Sequence, residues 1–168
     1  TATATVDGKV IGMPAVVDNL GLIYNTALFD EAGLEYPTAD WTWDDFRAAA
    51  KALTDPARNR YGTAYPVSGT EDTVWRFWPQ LWQNGGEVLD ADGKPAFNSQ
   101  AGVDALEFWR AMAQDDKSVY LDQNGEKYAP SFMAGNIGMI ISGPWLLYDL
   151  KQQKTPYGIQ ILPGTDGN

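Results

Sequence analysis

Cysteine and histidine are both absent from the sequence. Their absence excludes catalysis by a thiol or by a histidine-dependent triad, and it excludes zinc sites built on either residue. Two aspartates in the stretch DADGK, residues 90–94, resemble the start of a calcium loop, but the remaining ligands of such a loop are missing and a solvated turn is favoured. We therefore expect no metal ion and no cofactor.

Long apolar runs are missing as well. None approaches the ~20 residues that a membrane-spanning helix requires. The first ten residues, TATATVDGKV, lack the basic and hydrophobic regions of a signal peptide, so any export signal is expected outside this chain. Glycine-rich phosphate loops are also absent, because GNIG at residues 135–138 lacks the spacing of a dinucleotide-binding motif.

Positive charge is scarce, whereas aromatic residues are numerous. The chain has 22 acidic and 12 basic residues, a formal net charge of -10. A field of that sign repels phosphate backbones, so nucleic acid is not expected as a partner. Seven tryptophans, eight tyrosines and six phenylalanines exceed what a core of this size normally requires. The excess indicates an aromatic surface, with a tryptophan-rich core as the alternative.

Strand and helix signals alternate along the chain. Short apolar runs predict strands over residues 9–13, 20–25, 61–67, 137–141 and 157–162. Helical patterns fall between them, over residues 26–32, 43–54, 75–84, 99–114 and 130–134, with a last helix from Pro144. The alternation predicts one α/β domain over residues 1–168, in which helices flank a sheet of about four or five mixed or mostly parallel strands.

A tryptophan follows the end of one predicted strand, in the stretch GPW. Pro144 suits the first position of a helix, so Gly143 becomes the cap, and the backbone N–H groups of Trp145 and Leu146 are expected to be free donors. An indole beside such donors suits a sugar, because the C–H face of a pyranose stacks on aromatic rings while its hydroxyls need hydrogen bonds. The alternative is a core tryptophan that closes the end of the sheet.

A second cluster combines tryptophans with carboxylates. Trp75, Trp78 and Trp82 recur along one helical face, and such a stripe favours a core role for Trp78 and Trp82. Trp75 differs because it begins the predicted helix beside Glu71 and Asp72, whose carboxylates accept hydrogen bonds from sugar hydroxyls. A pair of carboxylates also indicates glycoside hydrolysis, with Glu71 or Asp72 as the catalyst, although no second carboxylate across a cleft is identified.

Six segments come in the order and spacing of a known family. They are GKVIGMP at 8–14, LIYNTALFDEAGL at 22–34, WTWDDFRAAAKALTD at 41–55, QNGG at 83–86, FMAGNIGMIISGPW at 132–145 and YGIQILPG at 157–164. Together they resemble the extracellular sugar-binding proteins of ATP-driven importers, the family of maltose-binding protein, over nearly the whole chain. The resemblance implies a periplasmic-binding-protein-like (type II) lobe, an α/β unit with a central mixed sheet flanked by helices.

The resemblance also implies a function without catalysis. Such proteins hold a sugar between two lobes joined by a hinge and deliver it to the permease subunits of an ABC transporter. Residues 1–168 would be the C-terminal lobe, with the N-terminal lobe and the final helices of the family outside this chain. The GPW position of the family stacks on a sugar ring, so the predicted ligand-binding residues are Trp145, Gly143, Trp75, Glu71 and Asp72.

Two further expectations follow from this resemblance. The protein is expected to be extracellular or periplasmic, either secreted or anchored to the membrane as a lipoprotein. An isolated lobe would also expose apolar surface that its missing parts normally cover, so self-association is expected.

Overall fold

A mixed sheet forms the centre of the computed structural model, which describes residues 4–16 and 18–165. Its five strands lie in the order β5-β4-β6-β3-β7, and a separate exposed hairpin is formed by β1 and β2. The strands are β1 (Thr5–Val6), β2 (Lys9–Val10), β3 (Gly21–Tyr24), β4 (Tyr61–Pro66), β5 (Val119–Asp122), β6 (Ile137–Ser142) and β7 (Gly158–Gln160).

Parallel and antiparallel pairs both occur in this sheet. Strand β4 runs parallel to β5 and β6, whereas β3 runs antiparallel to β6 and β7. The expected α/β class with a mixed central sheet is therefore confirmed. The helices are α1 (Thr26–Ala32), α2 (Trp43–Leu53), α3 (Glu71–Gln83), α4 (Gln100–Arg110), α5 (Tyr128–Met133) and α6 (Leu147–Gln152).

Local sequence signals explain where α1 begins and ends and where α2 begins. The side chain of Asn25 accepts a hydrogen bond from the N–H of Leu28, and α1 ends at Gly33, whose φ of 65° suits glycine. At α2 the predicted capping box is present, because Thr42 accepts from the N–H of Asp45 and Asp45 accepts from the N–H of Thr42. These contacts satisfy backbone donors that helix starts otherwise leave unpaired.

The core lies on both faces of the sheet. Along β3, Leu22 and Tyr24 pack into one cluster with Phe29 and Phe46, whereas Ile23 packs into a second cluster on the opposite face. All six residues of β6 are buried; Met139 and Ile141 belong to the first cluster, and Ile137 and Ile140 belong to the second. Strands covered on both faces read as continuous apolar runs, which is why the sequence predicted both of them.

Several boundaries differ from the prediction. The strand expected over residues 9–13 is only Lys9–Val10, because the ladder with β1 ends at Val10 and the apolar residues after it are exposed. Helix α3 begins four residues before the predicted start at Trp75, and α5 is shifted to Tyr128–Met133. The helix expected over 99–114 is regular only to Arg110 and then continues as a π-helical segment, residues 111–115. Strand β5 was not predicted.

The turn expected at residues 90–94 is confirmed, because the Asp90 carboxylate accepts the backbone N–H groups of Asp92 and Lys94. Among the described residues, no helix combines the length and apolar character that crossing a membrane requires.

Candidate functional site

Loops from distant parts of the sequence meet at one end of the central strands, where β6 ends and β3 begins. Since β3 is antiparallel to β6, its first residue, Gly21, pairs with Ser142 at the end of β6. The loop that precedes β3 therefore meets the turn that follows β6, and the start of α3 reaches the same place. The three segments enclose a cleft of about 440 Å³, here called the edge cleft, lined by Asp18, Asn19, Leu20, Glu71, Asp72, Trp75 and Trp145.

The turn after β6 displays Trp145. Pro144 begins a short 3-10 helix, Pro144–Leu146, with Gly143 as its cap. The Trp145 side chain remains 48% exposed, so the indole is not enclosed in the core. One expected donor is not free, however, because the N–H of Leu146 donates to the carbonyl oxygen of Gly143 at 3.3 Å. That part of the prediction was wrong: a 3-10 turn uses the donor that an α-helical start would leave unpaired.

Gly143 supports Trp145 through the absence of a side chain. The indole lies directly over the glycine, and a Cβ added there would stand 2.0 Å from Cζ3 of Trp145. The backbone of Gly143 is extended, with φ of -114° and ψ of -175°, so any residue could adopt it. The space beneath the indole, rather than backbone conformation, is therefore what requires glycine here. Gly143 itself lines a neighbouring cleft of about 460 Å³, which shares Asn19 and Leu20 with the edge cleft.

The two tryptophans of the edge cleft are in contact. The ring centroids of Trp75 and Trp145 are 5.6 Å apart, with an interplanar angle of 82°, an edge-to-face arrangement favoured by the quadrupoles of aromatic rings. Trp75 lies in the second turn of α3 and is partly exposed. The pair thus presents two indoles, from segments about 70 residues apart in the chain, to one open cleft.

The carboxylates of the cleft are not equivalent. Glu71 is exposed, whereas the Asp72 side chain is 32% exposed and its Oδ1 lies 3.4 Å from Nη1 of Arg76. Arg76 is almost fully buried, with 1% of its surface exposed. Asp72 therefore has two roles available, since it neutralises part of a buried charge and still has an exposed portion facing the cleft.

The structure brings together four of the five predicted site residues, and Gly143 lies beneath one of them. Sequence reasoning missed Asp18 and Asn19 in the loop before β3. Their signal was weak: two polar residues preceding a buried strand are typical of any loop. Only the antiparallel pairing of β3 with β6 places them beside Trp145, and that pairing is not visible in the local sequence.

The tryptophan stripe of α3 does not form the core. Helix α3 buries Arg76, Gln80 and Leu81, whereas Trp82 is 51% exposed and Trp78 is only partly buried. The core interpretation of Trp78 and Trp82 was therefore wrong. Periodicity identifies an aromatic face, but it does not decide which face of a helix packs against the sheet.

Part of this stripe lines a wide apolar groove between α3 and α4, here called the α3–α4 groove. Its volume is about 910 Å³, and Trp78 contacts Phe97 across it with ring centroids 6.1 Å apart. Exposed apolar side chains continue along α4. The groove is lined mainly by Tyr65, Val67, Val74, Phe77, Trp78, Phe97, Val103, Leu106, Trp109 and Leu121.

Comparison with known proteins defines the family. Residues 1–168 match the family described as bacterial extracellular solute-binding protein, and the chain belongs to it. The chain is similar to maltodextrin-binding protein MdxE of Bacillus subtilis, with 27% identity over 95% of this chain and 38% of that protein. It spans about two fifths of the length of the curated relatives that it matches nearly end to end.

Solved structures share the fold. An ABC substrate-binding protein from Listeria monocytogenes in complex with cycloalternan is 35% identical, with a TM-score of 0.84 over 97% of this chain and 42% of that one. The cyclic alpha-maltosyl-1,6-maltose binding protein from Arthrobacter globiformis is 32% identical, with a TM-score of 0.82 over 100% of this chain and 43% of that one. The family consists of extracellular substrate-binding proteins rather than enzymes, and nothing in these similarities favours a glycoside hydrolase.

Proposed function

We propose that this chain is one lobe of a substrate-binding protein that captures a sugar or oligosaccharide for import by an ABC transporter. The observation that carries the proposal is the exposed Trp75–Trp145 pair beside the carboxylates of the edge cleft. Similar proteins whose names specify maltodextrin, cycloalternan or a cyclic maltosyl-maltose support a carbohydrate ligand.

The chemistry of the cleft fits a neutral polyhydroxylated ligand. A sugar ring that stacks on an indole removes apolar surface of both partners from water, at about 25 cal/mol per Å². The exposed carboxylate of Glu71 and the side chains of Asp18 and Asn19 provide acceptors for hydroxyl groups at the rim of that ring. Each hydroxyl contact replaces a bond to water and contributes less than the stacking.

The open shape of the cleft leaves space for a second lobe to cover it. In this proposal residues 1–168 are the C-terminal lobe, and an N-terminal lobe of the same protein covers the exposed indoles when the hinge closes around the sugar. The closed form would then dock on the permease subunits outside the cytoplasmic membrane, with the protein either secreted or anchored as a lipoprotein. No catalytic step is required.

A matched pair of tryptophan substitutions tests the proposal. Trp145 and Trp82 are exposed to nearly the same extent, at 48% and 51%, but only Trp145 lines the edge cleft. In the full-length protein that carries this lobe, Trp145→Ala should weaken binding of the sugar by about 2 kcal/mol, roughly thirtyfold in Kd. Trp82→Ala should leave the affinity unchanged. Calorimetry against a panel of mono-, di- and trisaccharides measures both.

Near-normal sugar affinity in Trp145→Ala would refute stacking on this indole, and binding of no sugar in the panel would refute the carbohydrate ligand.

The hydrolase alternative is tested by a separate measurement. Asp72→Asn should weaken sugar binding less than Trp145→Ala, since an amide oxygen still accepts one hydroxyl bond. A hydrolase would retain binding in Asp72→Asn and lose turnover of aryl glycosides.

A further inference from the structure

Arg76 is a buried cation directly beneath the edge cleft. Its Cζ lies 3.9 Å from the centroid of the Trp75 ring and 4.5 Å from that of Tyr128. With only 1% of its surface exposed, Arg76 has almost no surface with which to touch a ligand that enters the cleft. Direct contact with a ligand is therefore excluded, and the residues that Arg76 contacts are its route to the geometry of the cleft.

The guanidinium joins three segments. Nη1 donates to the carbonyl oxygen of Asp72 at 2.8 Å and lies 3.4 Å from the carboxylate of the same residue. Nε donates to the carbonyl oxygen of Ile141 at 2.9 Å. The register between β4 and β6 ends at Met139, so this bond secures β6 beyond its last pair with β4. Tyr128, on the remaining side, belongs to the start of α5.

Through these contacts, the guanidinium of Arg76 is linked to both indoles of the cleft. Trp75 stacks on the guanidinium itself, and Ile141 is only four residues before Trp145 on the strand that ends in the GPW turn. Planar stacking and several fixed donors distinguish arginine from lysine, whose ammonium has neither a flat face nor a fork of donors. A buried guanidinium is costly, and Nη2 has no hydrogen-bond partner within the described part of the chain.

We infer that Arg76 is a positioning residue, which fixes the edge-to-face geometry of Trp75 and Trp145 and so prepares the cleft for its ligand. The inference deepens the proposed function and rests on it for the identity of the ligand. Its geometric part, the orientation of two indoles, is measurable without any sugar. A residue that merely stabilised the fold would affect unfolding but not that orientation in the folded chain.

Circular dichroism provides the first test. Two closely packed indoles give a far-ultraviolet exciton couplet, identified here as the signal lost in Trp145→Phe. Arg76→Met should lose more than half of the couplet amplitude while the chain remains folded, and Arg76→Lys should show a partial loss. Met112→Ala is the control, because Met112 is fully buried in the segment after α4 and lies outside the edge cleft. It should lower stability in urea and leave the couplet unchanged.

An unchanged couplet in folded Arg76→Met would overturn the inference. If Arg76→Met does not fold, Arg76→Lys decides, and a full wild-type couplet in that variant would overturn it equally. The second readout is calorimetry with maltotriose on the full-length protein, where Arg76→Met should weaken binding roughly tenfold. Should the wild-type protein bind neither maltotriose nor any other sugar of the panel, the proposed function fails, whereas the couplet result on Arg76 still stands.

Discussion

Gly143 controls the position of the Trp145 indole, because it has no side chain of its own to occupy the space beneath the ring. Gly143→Ala would place a methyl group where the Trp145 indole lies, and the indole, being half exposed, can swing outward to relieve the clash. Sugar affinity should fall by about 1–2 kcal/mol because the stacking face moves. The free energy of unfolding should change by less than about 0.5 kcal/mol, since alanine tolerates the extended backbone. Calorimetry and urea unfolding measure the two effects.

Gly12→Ala is the matched control for this substitution. Gly12 is exposed, and a Cβ added there meets nothing within 4 Å. It should change neither affinity nor stability. A large loss of stability in Gly143→Ala would show that the glycine serves the fold, contrary to our interpretation.

At the scale of single residues, the sequence predicted the site unevenly. Trp145 could be predicted because a strand, a Gly-Pro break and an indole follow one another directly. Trp75 and Asp72 could be predicted from their place at the start of a helix. Arg76 could not, because a charged residue on an amphipathic helix normally faces water, and its burial depends on a carbonyl oxygen 65 positions away in sequence.

At the scale of elements, the clearest electrostatic contact joins α2 to Asp116, which directly follows the π-helical segment after α4. Asp116 has a side chain only 7% exposed and forms ion pairs with Arg47 and Lys51 of α2. The hydrogen bond from Arg47 holds the pKa of the Asp116 carboxyl below its ordinary value of 3.8. The folded carboxyl therefore binds fewer protons than the unfolded one. Its contribution to stability is present above pH 4 or so and is lost as pH falls through the lowered pKa.

Asp116→Asn should accordingly destabilise the chain by about 1 kcal/mol at pH 7, and by progressively less as the pH falls below about 4. Urea unfolding of both proteins across this range measures the difference. Asp115→Asn is the control, because the neighbouring carboxylate is 57% exposed and contacts only Arg110 among the ion pairs described. Its effect should be smaller at pH 7. A difference for Asp116→Asn that persists undiminished at pH 2 would contradict the assignment.

At the scale of elements, buried segments were predictable and marginal ones were not. Strands β3 and β6 are apolar on both faces, and α2 carries both a capping box and a regular apolar face, so their patterns are strong. Strand β5 is as short as β3, but it is partly exposed and lies at the edge of the sheet. Such a strand owes its structure to its neighbour β4 rather than to a pattern of its own.

For the molecule as a whole, the α3–α4 groove is the surface that most favours association. Its lining is mostly apolar, and exposed apolar surface favours contact between proteins, although the net charge of -10 opposes contact between copies. We expect self-association at micromolar concentration that strengthens as added salt screens the repulsion. Sedimentation velocity across a concentration and salt series measures it.

Two substitutions test whether the copies associate through the α3–α4 groove. Leu106 lies in the groove and is 61% exposed, so Leu106→Glu should restore a monomer without affecting the fold. Val6→Glu is the control, because Val6 is 53% exposed on the β1–β2 hairpin, away from the groove. A monomer at all concentrations, or equal effects of the two substitutions, would exclude the groove as the contact.

The neighbouring positions of β3 and β7 have a mechanical consequence. Leu22 pairs with Gln160 and Tyr24 with Gly158, so the chain approaches and leaves the sheet along two adjacent antiparallel strands at the same edge. A pulling force applied through these two passages would load their hydrogen bonds one after another, as in opening a zipper, rather than all together in shear. Because β3 also pairs with β6 from Gly21 to Tyr24, β3 would stay held on its other side while β7 is peeled away.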